Sequence, residues 1–272
     1  MRCGLHMIIE ISARFAFSLP QPGDVLLQFE AADIPEQSII RSHCDIGQPA
    51  HLARIPAQDD IGERIWLHAE GRHDVDYTAS VEVRRILSEL AGLDRLPPHK
   101  LPGEAVQYLF DSRYCPASRF QPFVDAEFGA LDGGQRLLAM RDWVAQHFAY
   151  VPGSSTAQTT ALDSFVERRG ICRDYAHVMV SLARAAAMPA RYVSVFDPGV
   201  TPQDFHAVAE VFLADPAVSG GGAWHIVDAT GMADPAKSVK IGVGRDAADV
   251  SFMTTFGEAE FLDKQVTVIE KS

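Results

Sequence analysis

No cysteine in this chain stands near another: Cys3, Cys44, Cys115 and Cys172 form neither a CxxC nor a CxxH pair. Structural zinc is usually held by close-spaced ligand pairs, so no metal site is expected. A chain of 272 residues buries a core without staples, so the even cysteine count implies no disulfide framework. Isolated thiols fit a reducing cytoplasm, which is the expected location. No run of 18 apolar residues occurs, and Glu10 and Arg14 break the apolar stretch from Met1 to Pro20. Neither a membrane span nor an export signal is therefore expected. An excess of basic charge is missing too. With 24 basic against 36 acidic residues, the net charge of −12 repels phosphate backbones and anionic lipid. Nucleic acid and membrane surfaces are excluded as expected partners. The chain has no internal repeat and no low-complexity tract, and Gly242-Val243-Gly244 is too short for a dinucleotide loop. What remains is the ordinary balance of a globular protein, 47% hydrophobic and 22% charged, enough for one large domain or two smaller ones.

The first 85 residues alternate with a period of two, as half-buried strands do. Ile9, Ile11, Ala13, Phe15 and Phe17 form one such set, and Val25, Leu27 and Phe29 a second. Ile65, Leu67 and Ala69 form a third, and Val75, Tyr77, Ala79, Val81 and Val83 a fourth. Turn signals at Pro20–Gly23, Gly47–Pro49, Asp59–Gly62 and Glu70–Gly71 divide them. Short strands at this spacing predict a small β-sandwich with an accessory role. The segment from Pro97 to Gly103 reads as a linker. The boundary is set there, with residues 1–98 as the accessory domain and 99–272 as the core.

Helical spacing follows from Leu137 to Phe148, and Leu162–Arg169 reads as a short helix ended by Gly170. From Cys172 to Met188 almost every position is apolar, which predicts a helix buried in a core and stopped by Pro189. Three strands are expected after it: Arg191–Phe196, Phe205–Leu213 and Trp224–Asp228, split by Pro198-Gly199 and Gly220–Gly222. A buried helix on an antiparallel sheet is an α+β arrangement.

Cys172 opens that buried helix. The positive end of the helix dipole and its unpaired N–H groups favour thiolate over thiol. Most free cysteines are merely small buried residues, so Cys172 alone decides little. His206 and Asp228 add to it. They lie on neighbouring strands, where imidazole and carboxylate can meet while the thiol approaches the other ring nitrogen. Nucleophile, base and orienting carboxylate form a triad of the Cys-His-Asp kind.

Four segments carry a resemblance. Gly170-Ile171-Cys172-Arg173-Asp174-Tyr175-Ala176-His177, Ala187–Tyr192, Phe205–Val211 and Trp224–Thr230 resemble the transglutaminase-like superfamily. Its bacterial members are described as cysteine proteases, some with an N-terminal β domain. The likeness spans roughly residues 105 to 250. It implies a papain-like, transglutaminase-like core, with Cys172 as nucleophile, His206 as base and Asp228 as orienting residue, and it requires no cofactor. One departure is Val208, where many relatives carry an aromatic residue; it bears on substrate preference beside the base.

Other residues have blander readings. His177, five positions after Cys172, points away and reads as a structural histidine. His225 faces the opposite side of its strand from Asp228. Arg173 and Asp174 belong to the helix start and local ion pairing. Asp246 and Asp249 lack the spacing of an EF-hand, so they read as a surface turn. Trp224 reads as core. For an oxyanion the natural donor is the Cys172 backbone N–H, with Tyr150 or a residue of the Ser154–Thr160 loop as the second donor. The expected activity is hydrolysis of a peptide or protein amide through a thioester. Acyl transfer to an amine (protein cross-linking) and a non-catalytic binding module are the alternatives. The oligomeric state leaves no mark in the sequence.

Overall fold

The computed structural model describes residues 7–85, 87–218 and 221–271. Cys3 and Gly220, which enter the sequence reading, lie outside the described residues. The first sheet is built on two long strands, β1 (Met7–Leu27) and β4 (Glu63–Val83), flanked by β2 (Gln37–Asp45) and β3 (His51–Pro56). β1 and β4 pair antiparallel from Met7↔Val83 to Leu27↔Ile65. The expected turns at Pro20–Gly23 and Glu70–Gly71 are bends inside these strands instead. The register passes from Leu19↔Gly71 to Gly23↔Ala69, so Pro20, Gln21 and Pro22 are skipped. Proline has no amide hydrogen to give a ladder, and Gly71 takes a φ of 77° at the same place. The alternating apolar sets on both sides of the bend close into one cluster.

Residues at the far end of the chain complete this sheet. Strands β5 (Ala149–Tyr150) and β6 (Arg169–Gly170) form a separate parallel pair, and β7 to β10 form the core sheet described next. β11 (Met253–Thr255) then pairs with Val25–Leu27, and β12 (Glu260–Lys271) with Ile8–Ser18. The 99–272 division gives both strands to the core, yet they belong to the β domain. The physical reason is burial: Val266 and Val268 lie opposite Ala13 and Ile11 and join their cluster.

The core sheet runs in the order β10 (Val239–Gly244), β7 (Ala190–Phe196), β8 (His206–Leu213), β9 (Ala223–Val227), antiparallel throughout. Every residue of β8 is buried, because both faces of the sheet are covered. One face packs on helices: α1 (Gly103–Val106) and α2 (Gln121–Phe128) lead to α3 (Gly133–His147), α4 (Ala161–Glu167) and α5 (Cys172–Ala185). Val178, Met179 and Leu182 of α5 meet Ala209 and Val211 of β8 in one cluster. Each large side chain so buried contributes about 1.5–3 kcal/mol. Helix α5 stops before Pro189: Ala187 turns left-handed at φ 56°, and the Met188 N–H reaches back to the Ala183 carbonyl at 3.0 Å.

A buried set of charges ties the β domain to the core sheet. Glu210 accepts from Arg191 at 2.8 Å and pairs with Lys240. Arg191 reaches Asp59 at 3.2 Å and lies 4.2 Å over the Trp224 ring, while Lys240 also pairs with Glu36. Two cations hold Glu210 down at about 2 against the opposing effect of burial.

Candidate active site

Helix α5 begins at Cys172 because Gly170 lets the chain approach it closely. A Cβ at Gly170 would lie 2.5 Å from the Asp174 Cβ. Asp174 reaches back to accept the Ile171 N–H at 2.8 Å, satisfying one of the orphan donors of the first turn. Cys172 is half-buried at this end of the helix.

His206 stands at the first residue of β8 and Asp228 just past β9. The ladder pairs Ala209 with Val227, so Asp228 falls one diagonal step from His206. Its Oδ2 lies 3.0 Å from His206 Nε2. Cys172 lies beside the same ring, close enough to favour its charged form. Burial works against a charged His206, but the bond to Asp228 and the neighbouring Cys172 overcome it and hold its pKa at about 10. Asp228 is itself saturated: it accepts from Thr230 N at 2.8 Å, Ala233 N at 2.9 Å and the Thr230 hydroxyl at 2.7 Å. Burial opposes its ionisation too, yet His206 and these donors keep its pKa below the usual carboxylate range. The three residues singled out in the sequence are thus brought together.

Tyr150 joins them. It lies opposite Gly170 in the β5–β6 pair, which sets it beside Cys172. Burial and the contact with Cys172 push it up to about 12. Of the two candidates for the second oxyanion donor, Tyr150 is the one in contact with Cys172. The Ser154–Thr160 loop is engaged by the residues after the cysteine instead. Arg173 donates to the carbonyls of Thr156 at 2.7 Å and Thr159 at 2.9 Å.

Residues 124–229 match the transglutaminase-like superfamily. That span includes Cys172, His206 and Asp228. This part of the chain has a transglutaminase-like fold. A structure from Cytophaga hutchinsonii, described as a "putative cysteine protease", superposes with a TM-score of 0.90 at 29% identity, over 98% of this chain and 91% of that one. The transglutaminase-like core and the β domain are therefore shared together. The periplasmic domain of TgpA from Pseudomonas aeruginosa aligns at 20% identity and a TM-score of 0.40, over 86% of this chain and 92% of that one. An uncharacterised Mycobacterium leprae protein is 28% identical over 120 residues, a match spanning 42% of each chain.

Around the transglutaminase-like core the other candidates take structural places. His177 is fully buried, accepts the Ala247 N–H at 3.1 Å and stacks on Tyr114 at 5.2 Å; burial drives its pKa well below the ordinary value. His225 faces Asp215 at 3.5 Å, away from the triad residues. Asp246 caps the Tyr114 N–H at 2.8 Å, and Asp249 pairs with Arg245 at 2.8 Å. Trp224 packs edge-on against Phe212 and Tyr108. Val208 lies in a cluster with Val193, Val195, Ile226 and Val243, so its departure from the family pattern falls inside the sheet packing. Burial raises Cys44 and Cys115 to about 12. Among the described residues no cluster of three His, Cys, Asp or Glu could hold a metal, and no helix is long and apolar enough to cross a membrane.

Proposed function

We propose that the protein is a cysteine-dependent amide hydrolase acting on a peptide or protein through Cys172, His206 and Asp228. The observation that carries this reading is the 3.0 Å bond from His206 Nε2 to Asp228, with Cys172 against the same ring at a helix N-terminus. The Cys172 sulfur attacks the amide carbon, and the carbonyl oxygen becomes an oxyanion near the Cys172 N–H and the Tyr150 hydroxyl. His206, protonated, gives its proton to the departing nitrogen as the C–N bond breaks, leaving a thioester and a free amine. Neutral His206 then takes a proton from water, which attacks the thioester and releases the acid and the thiol. Asp228 keeps the ring oriented and offsets its positive charge.

Water is the favoured acceptor over a lysine amine. The support is the 29% identical Cytophaga relative, described as a protease, which spans both parts of this chain. The free thiols Cys44, Cys115 and Cys172 accord with work in a reducing compartment, the cytoplasm.

The test is chemical. At pH 7 iodoacetamide is expected to label Cys172 well ahead of Cys44 and Cys115, and labelled casein is expected to be cleaved by the wild type and not by Cys172→Ala. Labelling of all thiols at one rate, or none at Cys172 in the folded protein, would overturn the reading in favour of a binding module. Incorporation of a fluorescent amine into casein faster than its cleavage would make the protein a cross-linker instead.

A further inference from the structure

The three residues that lead into His206 are each held by a residue between Phe252 and Val268. The Gln203 side chain bonds twice to the Val268 backbone: Nε2 donates to the carbonyl at 2.7 Å, and the Val268 N–H donates to Oε1 at 2.9 Å. Asp204 takes the Lys264 ammonium at 2.5 Å. The Phe205 ring sits 4.6 Å from Phe252, which in turn lies 4.8 Å from Phe15 of β1. His206 comes next.

The pairing pattern explains why this hold is directional. Val268 spends both backbone groups on Gln203, so those groups face away from β1, and the Gln203 amide stands where a further strand would offer a peptide group. The docking is therefore specific to one rung of β12. At the His206 end, β8 has just begun: Val195↔His206 is its first rung with β7, and the β8–β9 ladder starts only at Ala209. A strand end with one neighbour frays unless something beyond it is fixed. Frayed by about 1 Å, the ring would lose its line to Cys172 at a large cost in rate.

We infer that Gln203, Asp204 and Phe205 are positioning residues for His206, the first two anchored on β12 and the third on Phe252 and Phe15, which makes the β domain a working part of the active site. This rests on the reading of Cys172, His206 and Asp228 as the reacting groups. It also gives the domain a role that its strand pattern does not announce. The full-length likeness to the Cytophaga structure, over 98% of this chain, accords with two parts that work as one.

The experiment uses the full chain and follows iodoacetamide alkylation of Cys172 from pH 5 to 11, beside the thermal midpoint. Gln203→Ala is expected to slow alkylation at pH 7 about fivefold or more and to shift the profile toward that of His206→Ala. Lys264→Gln, at an exposed pair, is expected to shift it in the same direction by less. Arg72→Gln, which breaks another exposed pair of the same sheet with Asp74, should leave it unchanged. A wild-type profile in both Gln203→Ala and Lys264→Gln, while His206→Ala is slowed, would overturn the inference and leave the triad reading intact. Wild-type Cys172 no more reactive than Cys44 would sink both. If Gln203→Ala loses its folded signal, Lys264→Gln decides alone, since that exposed pair contributes little to stability.

Discussion

Tyr150 lies opposite Gly170 in a parallel pair of two-residue strands, and this sets it beside Cys172, two residues further along the chain. In the proposed reaction its hydroxyl is the second donor to the oxyanion.

Tyr150→Phe therefore has two opposite effects. Turnover of casein is expected to fall by about tenfold or more, since losing one oxyanion donor costs up to about 10²–10³ in kcat. Alkylation of Cys172 should be at least as fast as in the wild type, because iodoacetamide needs no oxyanion donor. Slower alkylation together with slower turnover would show that the hydroxyl acts on the thiol itself.

The His206–Asp228 pair predicts an alkaline loss of stability. His206 is raised from 6.5 to about 10, so between those values the folded state holds a proton that the unfolded chain has lost. The contribution is complete below pH 6.5 and disappears as pH climbs through about 10. Urea unfolding at pH 6 and 10.5 should differ by about 4–5 kcal/mol from this source. In Asp228→Asn the decline should start near pH 7, and an unchanged curve would mean that Asp228 does not hold the proton on His206.

Glu210 is the anion between Arg191 and Lys240. Glu210→Gln leaves both buried cations short of a partner, and breaking such a set from one side costs about 3–5 kcal/mol. The loss should appear as a lower urea midpoint. A change below 1 kcal/mol would mean that Glu36 and Asp59 suffice to balance the two cations.

The residues of the candidate site were more legible than the frame around them. Cys172, His206 and Asp228 sit at a helix start and at strand ends, positions that turn residues and apolar runs mark locally. The partners that tune them are not local. Tyr150 meets Cys172 only through the β5–β6 pair, which leaves no periodic trace in two residues. Gln203 meets Val268 across 65 positions. Strand β12 escaped notice because Glu260–Gln265 is exposed and shows no alternation, its buried residues beginning at Val266. At Pro20–Gly23 and Gly71 the breaker residues are real, but a breaker bends a long strand as readily as it ends one. The domain boundary near residue 98 follows composition, whereas sheet membership follows burial, and burial draws 253–271 back to the start.

That return governs the order in which the molecule can be assembled. The pairing of Ile8 with Lys271 waits for the last described residues to be synthesised. Until then β1 has one open edge, and the segment before His206 has nothing to dock on. A nascent chain arrested just short of β12 already contains its thiol, its imidazole and its carboxylate, but on the inference drawn above their alignment waits for β12. Proteolytic nicking within the stretch from Phe256 to Glu258 would have the same consequence in the finished protein, where the chain is exposed and no ladder protects it.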